Sequence, residues 1–143
     1  IANTILTSGA LGPNDEIGAH VHSWKSLGLE AGLQANDIQI APLGVNPSTQ
    51  PQIYRNGKGL GPDLGYTVPL GVYSQPQITN YLQTTIALLQ KYFPVYLPNK
   101  PLSFRCGMWV TCDVIFDALR STSLVYEASA LPFNYINQTL RPN

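Results

Sequence analysis

Ionic side chains are scarce in this sequence: eight Lys or Arg and eight Asp or Glu make up 11% of its 143 residues and cancel to a formal net charge of zero. Soluble domains ordinarily carry about 25%. The basic residues are scattered, and the closest of them, Arg55 and Lys58, make only a pair. Binding a phosphate backbone takes clustered cations, so nucleic acid is not expected as the main partner. No apolar run approaches the ~18 residues that a membrane span requires, and none is expected. Internal repeats, charge blocks and low-complexity tracts are also missing. With two cysteines and two histidines in all, catalytic constellations built on those residues have little to draw on.

What replaces the charges is neutral and polar. Asn, Gln, Ser and Thr together number 38. A surface wetted by amides and hydroxyls has little charge repulsion to keep copies apart, and near-zero net charge favours association. The sequence begins at Ile1 rather than Met, which carries the expectation of a removed leader or pro-segment. The length suits one domain over 1–143, large enough for its own core without staples. Residues 1–16 read as an extended N-terminal arm, with Ile1, Ile5 and Leu6 as its apolar anchors.

Two elements stand out. Ile78, Tyr81, Leu82, Ile86, Leu89, Tyr92 and Phe93 recur on a 3.6-residue period, which predicts a helix over about 76–93. Ser74 and Gln77 have the spacing of a capping box, and Pro94 stops the helix. Its other side carries Gln77, Gln83 and Gln90 and only one charge, Lys91, which suits packing against another subunit. From Leu102 to Phe116 the residues Phe104, Cys106, Met108, Val110, Cys112, Val114 and Phe116 take every second position, the mark of a half-buried strand. That spacing puts Cys106 and Cys112 on one face and too far apart to bond, as buried free thiols. Residues 113–120 also fit helical spacing. Shorter strands are expected at 18–24, 37–43, 52–55, 66–73 and 123–128, with a turn at Asn56-Gly57. The fold class expected is α+β: an antiparallel sheet with the 76–93 helix packed across one face.

Candidate chemistry is thin. His20 and His22 on a strand would point to one face, a geometry that can ligate metal, but a third ligand is needed and no spacing supplies it. Two polar strand histidines beside Trp24 are the simpler expectation, so no metal site is assigned. The cysteines sit on an apolar face, which raises a thiol pKa and disfavours a nucleophile. Asp113 and Asp117 are explained by a strand end and a helix N-terminus. The glycines of 57–65 lack the P-loop spacing and read as a flexible or partner-ordered loop, and no cofactor is implied. Asn137-Gln138-Thr139 matches the N-glycosylation pattern.

The expected function is therefore a structural subunit of a larger assembly, such as a virus particle, a phage tail or an extracellular filament. Its partners would be copies of itself or other subunits, its location extracellular or virion-associated. Ile1, Ile5, Leu6, Gln83 and Gln90 are the candidate interface, and no catalytic residue is named. The alternatives are a secreted module that binds carbohydrate or another surface through tyrosines, and a small metal-dependent enzyme using His20 and His22.

Overall fold

The computed structural model describes residues 8, 9, 11, 12, 15, 17–40, 49–94, 102–107 and 110–127. Its elements are β1 (Ala19–Val21), α1 (Lys25–Glu30), β2 (Gln52–Arg55), β3 (Lys58–Pro62), α2 (Gln75–Tyr92), β4 (Leu102–Cys106), α3 (Asp113–Leu119) and β5 (Leu124–Glu127), with a 3-10 turn at Leu70–Val72 before α2.

Mixed helix and strand with one dominant helix is what the chain forms, but the pairing differs from expectation. The sheet of three strands has the order β1-β4-β5 and is parallel throughout. Antiparallel pairing is confined to the separate ribbon of β2 and β3. The reason is topological: α2 lies between β1 and β4 in sequence, and α3 between β4 and β5, and a helical crossover returns the chain to a parallel neighbour. Period-two alternation marks a strand without saying which way its partner runs.

The ribbon turns at Asn56 and Gly57, both with positive φ (51° and 75°), the backbone of a tight hairpin that Asn-Gly favours. Arg55 fastens it to α1 by donating from Nη1 to the Leu29 carbonyl at 2.9 Å. The glycines of 57–65 are thus largely built into a strand pair rather than left as an open loop.

The expected strand over 102–116 stops at Cys106. Cys112 caps α3 instead, and Ile115, Ala118 and Leu119 turn inward at helical spacing. The alternation beyond Gly107 was compatible with both structures, and in the helix Ile115, Ala118 and Leu119 share one buried face. Cys106 is accordingly buried but Cys112 is exposed, which corrects the placing of both thiols in the core. Of the strand expected over 37–43, residues 37 and 38 are turn and bend and 39–40 are irregular, with Ile38 buried and Ile40 exposed, while 41–43 lie outside the described residues; 66–73 is turn and 3-10 helix. Proline at 69 and the lack of a paired neighbour account for the second. Residues 25–30 are helical despite Gly28, because packing overrides propensity there.

Helix α2 runs one residue earlier than the periodicity suggested. The Ser74 backbone N–H donates to Gln77 Oε1 at 3.0 Å and its Oγ donates to the same atom at 2.9 Å; the Ser74 side chain accepts in turn from the Gln77 backbone N–H, which completes the capping box. Its buried face of Ile78, Tyr81, Leu82 and Ile86 joins Val21, Phe104, Ile115 and Leu119 in one core. In the element contacts α2 meets β1, α1 and α3. Along β1 only Ala19 and Val21 are buried while His20 is exposed. Among the described residues, then, the sheet is covered on the α2 side, and its other side presents polar groups.

Candidate functional site: a paired histidine edge

That polar side holds the one convergence of chemically able groups among the described residues. His20 lies within β1 and His22 follows its last residue, so alternation sends both imidazoles to the face away from the core. Their Nε2 atoms are 2.9 Å apart, and the rings meet edge-on with centroids 4.8 Å apart. His22 Nδ1 is 2.9 Å from the Tyr66 carbonyl oxygen. A carbonyl can only accept, so Nδ1 carries the proton and His22 Nε2 presents its lone pair. His20 Nε2–H donates into it.

The surroundings are set by chain crossings. Residues 63–66 run alongside 22–26: the Lys25 N–H donates to the Leu64 carbonyl at 2.7 Å, and Ser26 donates from N and Oγ to Asp63, each at 2.8 Å. Gly65 (φ +97°) permits the crossing, since a side chain there would strike the Ser23 carbonyl. Tyr66 is thereby laid against His22, ring on ring at 4.6 Å and 20°. Trp24 tilts against Tyr66 at 5.2 Å, and Tyr66 remains 47% exposed. A hollow of about 230 Å³ opens beside the pair, lined by Gly18, Ala19, His20, Ser103, Phe104 and Arg105. Arg105 is His20's partner in the β1–β4 register. Partial burial lowers the His20 pKa from its ordinary value, with His22 and Arg105 adding like-charge repulsion. That shift favours the neutral imidazole, the form that binds metal.

Other residues singled out by sequence do not gather here. Gln83 and Gln90 are exposed on α2, while Ile1, Ile5, Leu6, Glu16 and the Asn137 sequon lie outside the described residues. Asp113 and Asp117 are exposed on α3, and Asp117 pairs with Arg120 at the surface, a contact of little energetic consequence. Of the acidic residues near the histidines in sequence, Asp15 accepts from the Gly12 N–H at 2.6 Å and Glu30 is exposed at the end of α1. No three His, Cys, Asp or Glu side chains cluster among the described residues. Sequence reasoning flagged both histidines and Trp24, and took Tyr66 only as one of several tyrosines suited to a binding surface; it missed Arg105, which β4 brings beside His20 with no local signal. Among the described residues no helix is long and apolar enough to cross a membrane.

Comparison of the chain with protein-family models, curated proteins and solved structures finds no match.

Proposed function

We propose that the chain binds a divalent metal ion through His20 and His22 and is a metal-dependent hydrolytic enzyme acting on a neutral carbohydrate or similar polyhydroxylated substrate. The observation that carries this is the convergence of two Nε2 atoms at 2.9 Å with His22 Nδ1 tied to a backbone carbonyl. Metal–imidazole bonds of about 2.0–2.1 Å place adjacent ligand nitrogens roughly 2.9–3.4 Å apart for bond angles of about 90–110°. The pair is therefore already spaced as neighbouring ligands, and the shared proton occupies the place an ion would take. A ligating His whose other nitrogen donates to a carbonyl has its tautomer fixed in advance.

Position supports the same reading, because open parallel sheets bind ligands at the carboxyl ends of their strands, where His22 stands. An ion held there would supply Lewis acidity and water activation. Imidazole donors suit zinc among common divalent ions, and an open catalytic site needs three protein ligands. Among the described residues no third His, Cys, Asp or Glu side chain joins the pair, so the proposal rests on the two imidazoles. Arg105 opposes a cation by Coulomb repulsion, but it is exposed, where water weakens the effect. Its charge instead favours a substrate group on which negative charge develops. Trp24 and Tyr66, tilted against each other, offer an aromatic patch with polar tips that a sugar ring could contact.

Titration of the metal-free protein with zinc(II) by calorimetry is the test. One ion per chain is expected, with His20→Ala and His22→Ala each weakening binding by roughly 10- to 100-fold or more. Zinc retention no greater than in both alanine variants would remove the proposal.

The scarcity of charge supports a second reading, a subunit that packs against copies of itself through the amide-bearing side of α2. Gln83 and Gln90 are exposed there, and no charged residue occurs between Leu64 and Gln90.

A further inference from the structure

We propose that Gly107 is a positioning residue for His22, its missing side chain being the notch in which the imidazole seats. The functional consequence rests on the metal-binding reading above, whereas the seating itself can be tested apart from it.

Gly107 follows the last residue of β4 and is buried. A Cβ built on it would lie 2.7 Å from His22 Cγ, 2.7 Å from His22 Nδ1 and 2.7 Å from the Val21 carbonyl oxygen. Real Cβ atoms essentially never approach other heavy atoms more closely than 3.0 Å. Gly107 is not among the glycines with positive φ, so backbone conformation does not demand glycine here. Space does.

What would yield to an added methyl follows from the packing. Val21 is 1% exposed and paired in register with Cys106, so its carbonyl is held by the sheet. The His22 side chain turns about two torsions and is the softer partner. Rotating it away lengthens the 2.9 Å bond from Nδ1 to the Tyr66 carbonyl, opens the 4.6 Å ring stack and carries Nε2 away from its partner on His20. The seating of His22 therefore depends on the bare Cα of Gly107 together with the Tyr66 carbonyl and ring. A ligand nitrogen displaced by a fraction of an ångström costs metal affinity because the ion's bond lengths tolerate only about ±0.2 Å.

The experiment compares the full chain with its Gly107→Ala variant by long-range proton–nitrogen spectra of the imidazoles, without metal, and by zinc(II) titration. Wild type is expected to show His22 protonated at Nδ1. In the variant that signature gives way to a tautomer mixture, and zinc affinity falls roughly 10- to 100-fold while the far-ultraviolet dichroism is kept. An unchanged His22 signature with unchanged zinc affinity overturns the proposal. A lost signature in a protein whose wild type ignores zinc upholds the seating and removes the metal-binding reading. If Gly107→Ala does not fold, it is combined with His22→Ala. Recovery of folding shows that the ring is what the methyl meets, and continued failure shows that the Val21 carbonyl decides and the proposal falls.

Discussion

Gly28 is the second place where a bare Cα makes room for an aromatic side chain. It is buried on α1, and a methyl there would collide with the Tyr81 hydroxyl and stand 3.1 Å from Tyr81 Cζ and 3.2 Å from Ile38 Cδ1. Tyr81 is wholly buried, and that burial, with Tyr73 beside it, raises its pKa well above the ordinary phenol value. Helical propensity alone would favour alanine over glycine by about 1 kcal/mol. The close approach should win, since overpacking a core costs about 1–3 kcal/mol. Gly28→Ala is therefore expected to destabilise the fold in denaturant titrations, although it improves the helix former. The cost should shrink when Tyr81→Phe removes the colliding oxygen, because contacting residues couple. An equal cost in both backgrounds would place the strain elsewhere.

At the scale of elements, α2 organises the rest, and its start is set by two side chains. Ser74 and Gln77 satisfy each other at the first turn, and losing a serine cap costs about 0.5–2 kcal/mol. Ser74→Ala should lower the melting temperature by a few degrees, and Ser74→Asp, which restores an acceptor beside the helix N-terminus, should recover most of it. This element was legible from the sequence because its information is local: a cap, a 3.6-residue stripe and a terminating proline. Strand β2 and the turn at Asn56-Gly57 were legible for the same reason, but β3 was not, because its glycines carry no alternating pattern. The parallel order of β1, β4 and β5 was not, since strand direction depends on what crosses between strands rather than on side-chain alternation. The 102–116 segment failed at Gly107, where alternation continued past the true strand end and α3 began at a residue without a strong capping side chain. At the candidate site, His20 and His22 could be read as sharing a face. The Tyr66 carbonyl, Arg105 and the Gly107 notch could not, because the first is brought in by the 63–66 segment and the other two by β4 and its end, both far away in sequence.

For the molecule as a whole, the two readings draw on different surfaces and make separable demands. The histidine edge stands at the carboxyl end of β1, whereas the amide-bearing side of α2 faces outward from the helix that covers the opposite side of the sheet. Lys91 is the one charged residue of α2, so association through that side would be held mainly by amide hydrogen bonds and shape, with little for salt to screen. Interactions between exposed charges fade beyond about 8–10 Å at physiological ionic strength, and contacts made by the scattered Lys, Arg, Asp and Glu would weaken as salt is added. The expected result in light scattering is a mass that rises with concentration and is the same at low and high salt. Replacing Gln83 and Gln90 together with Glu puts like charges on any such contact and should lower that mass while leaving zinc affinity unchanged. A constant monomer mass across the series would remove the assembly reading. The neutral surface would then be explained by an uncharged substrate alone, which needs ring faces and hydroxyl partners rather than ionic ones.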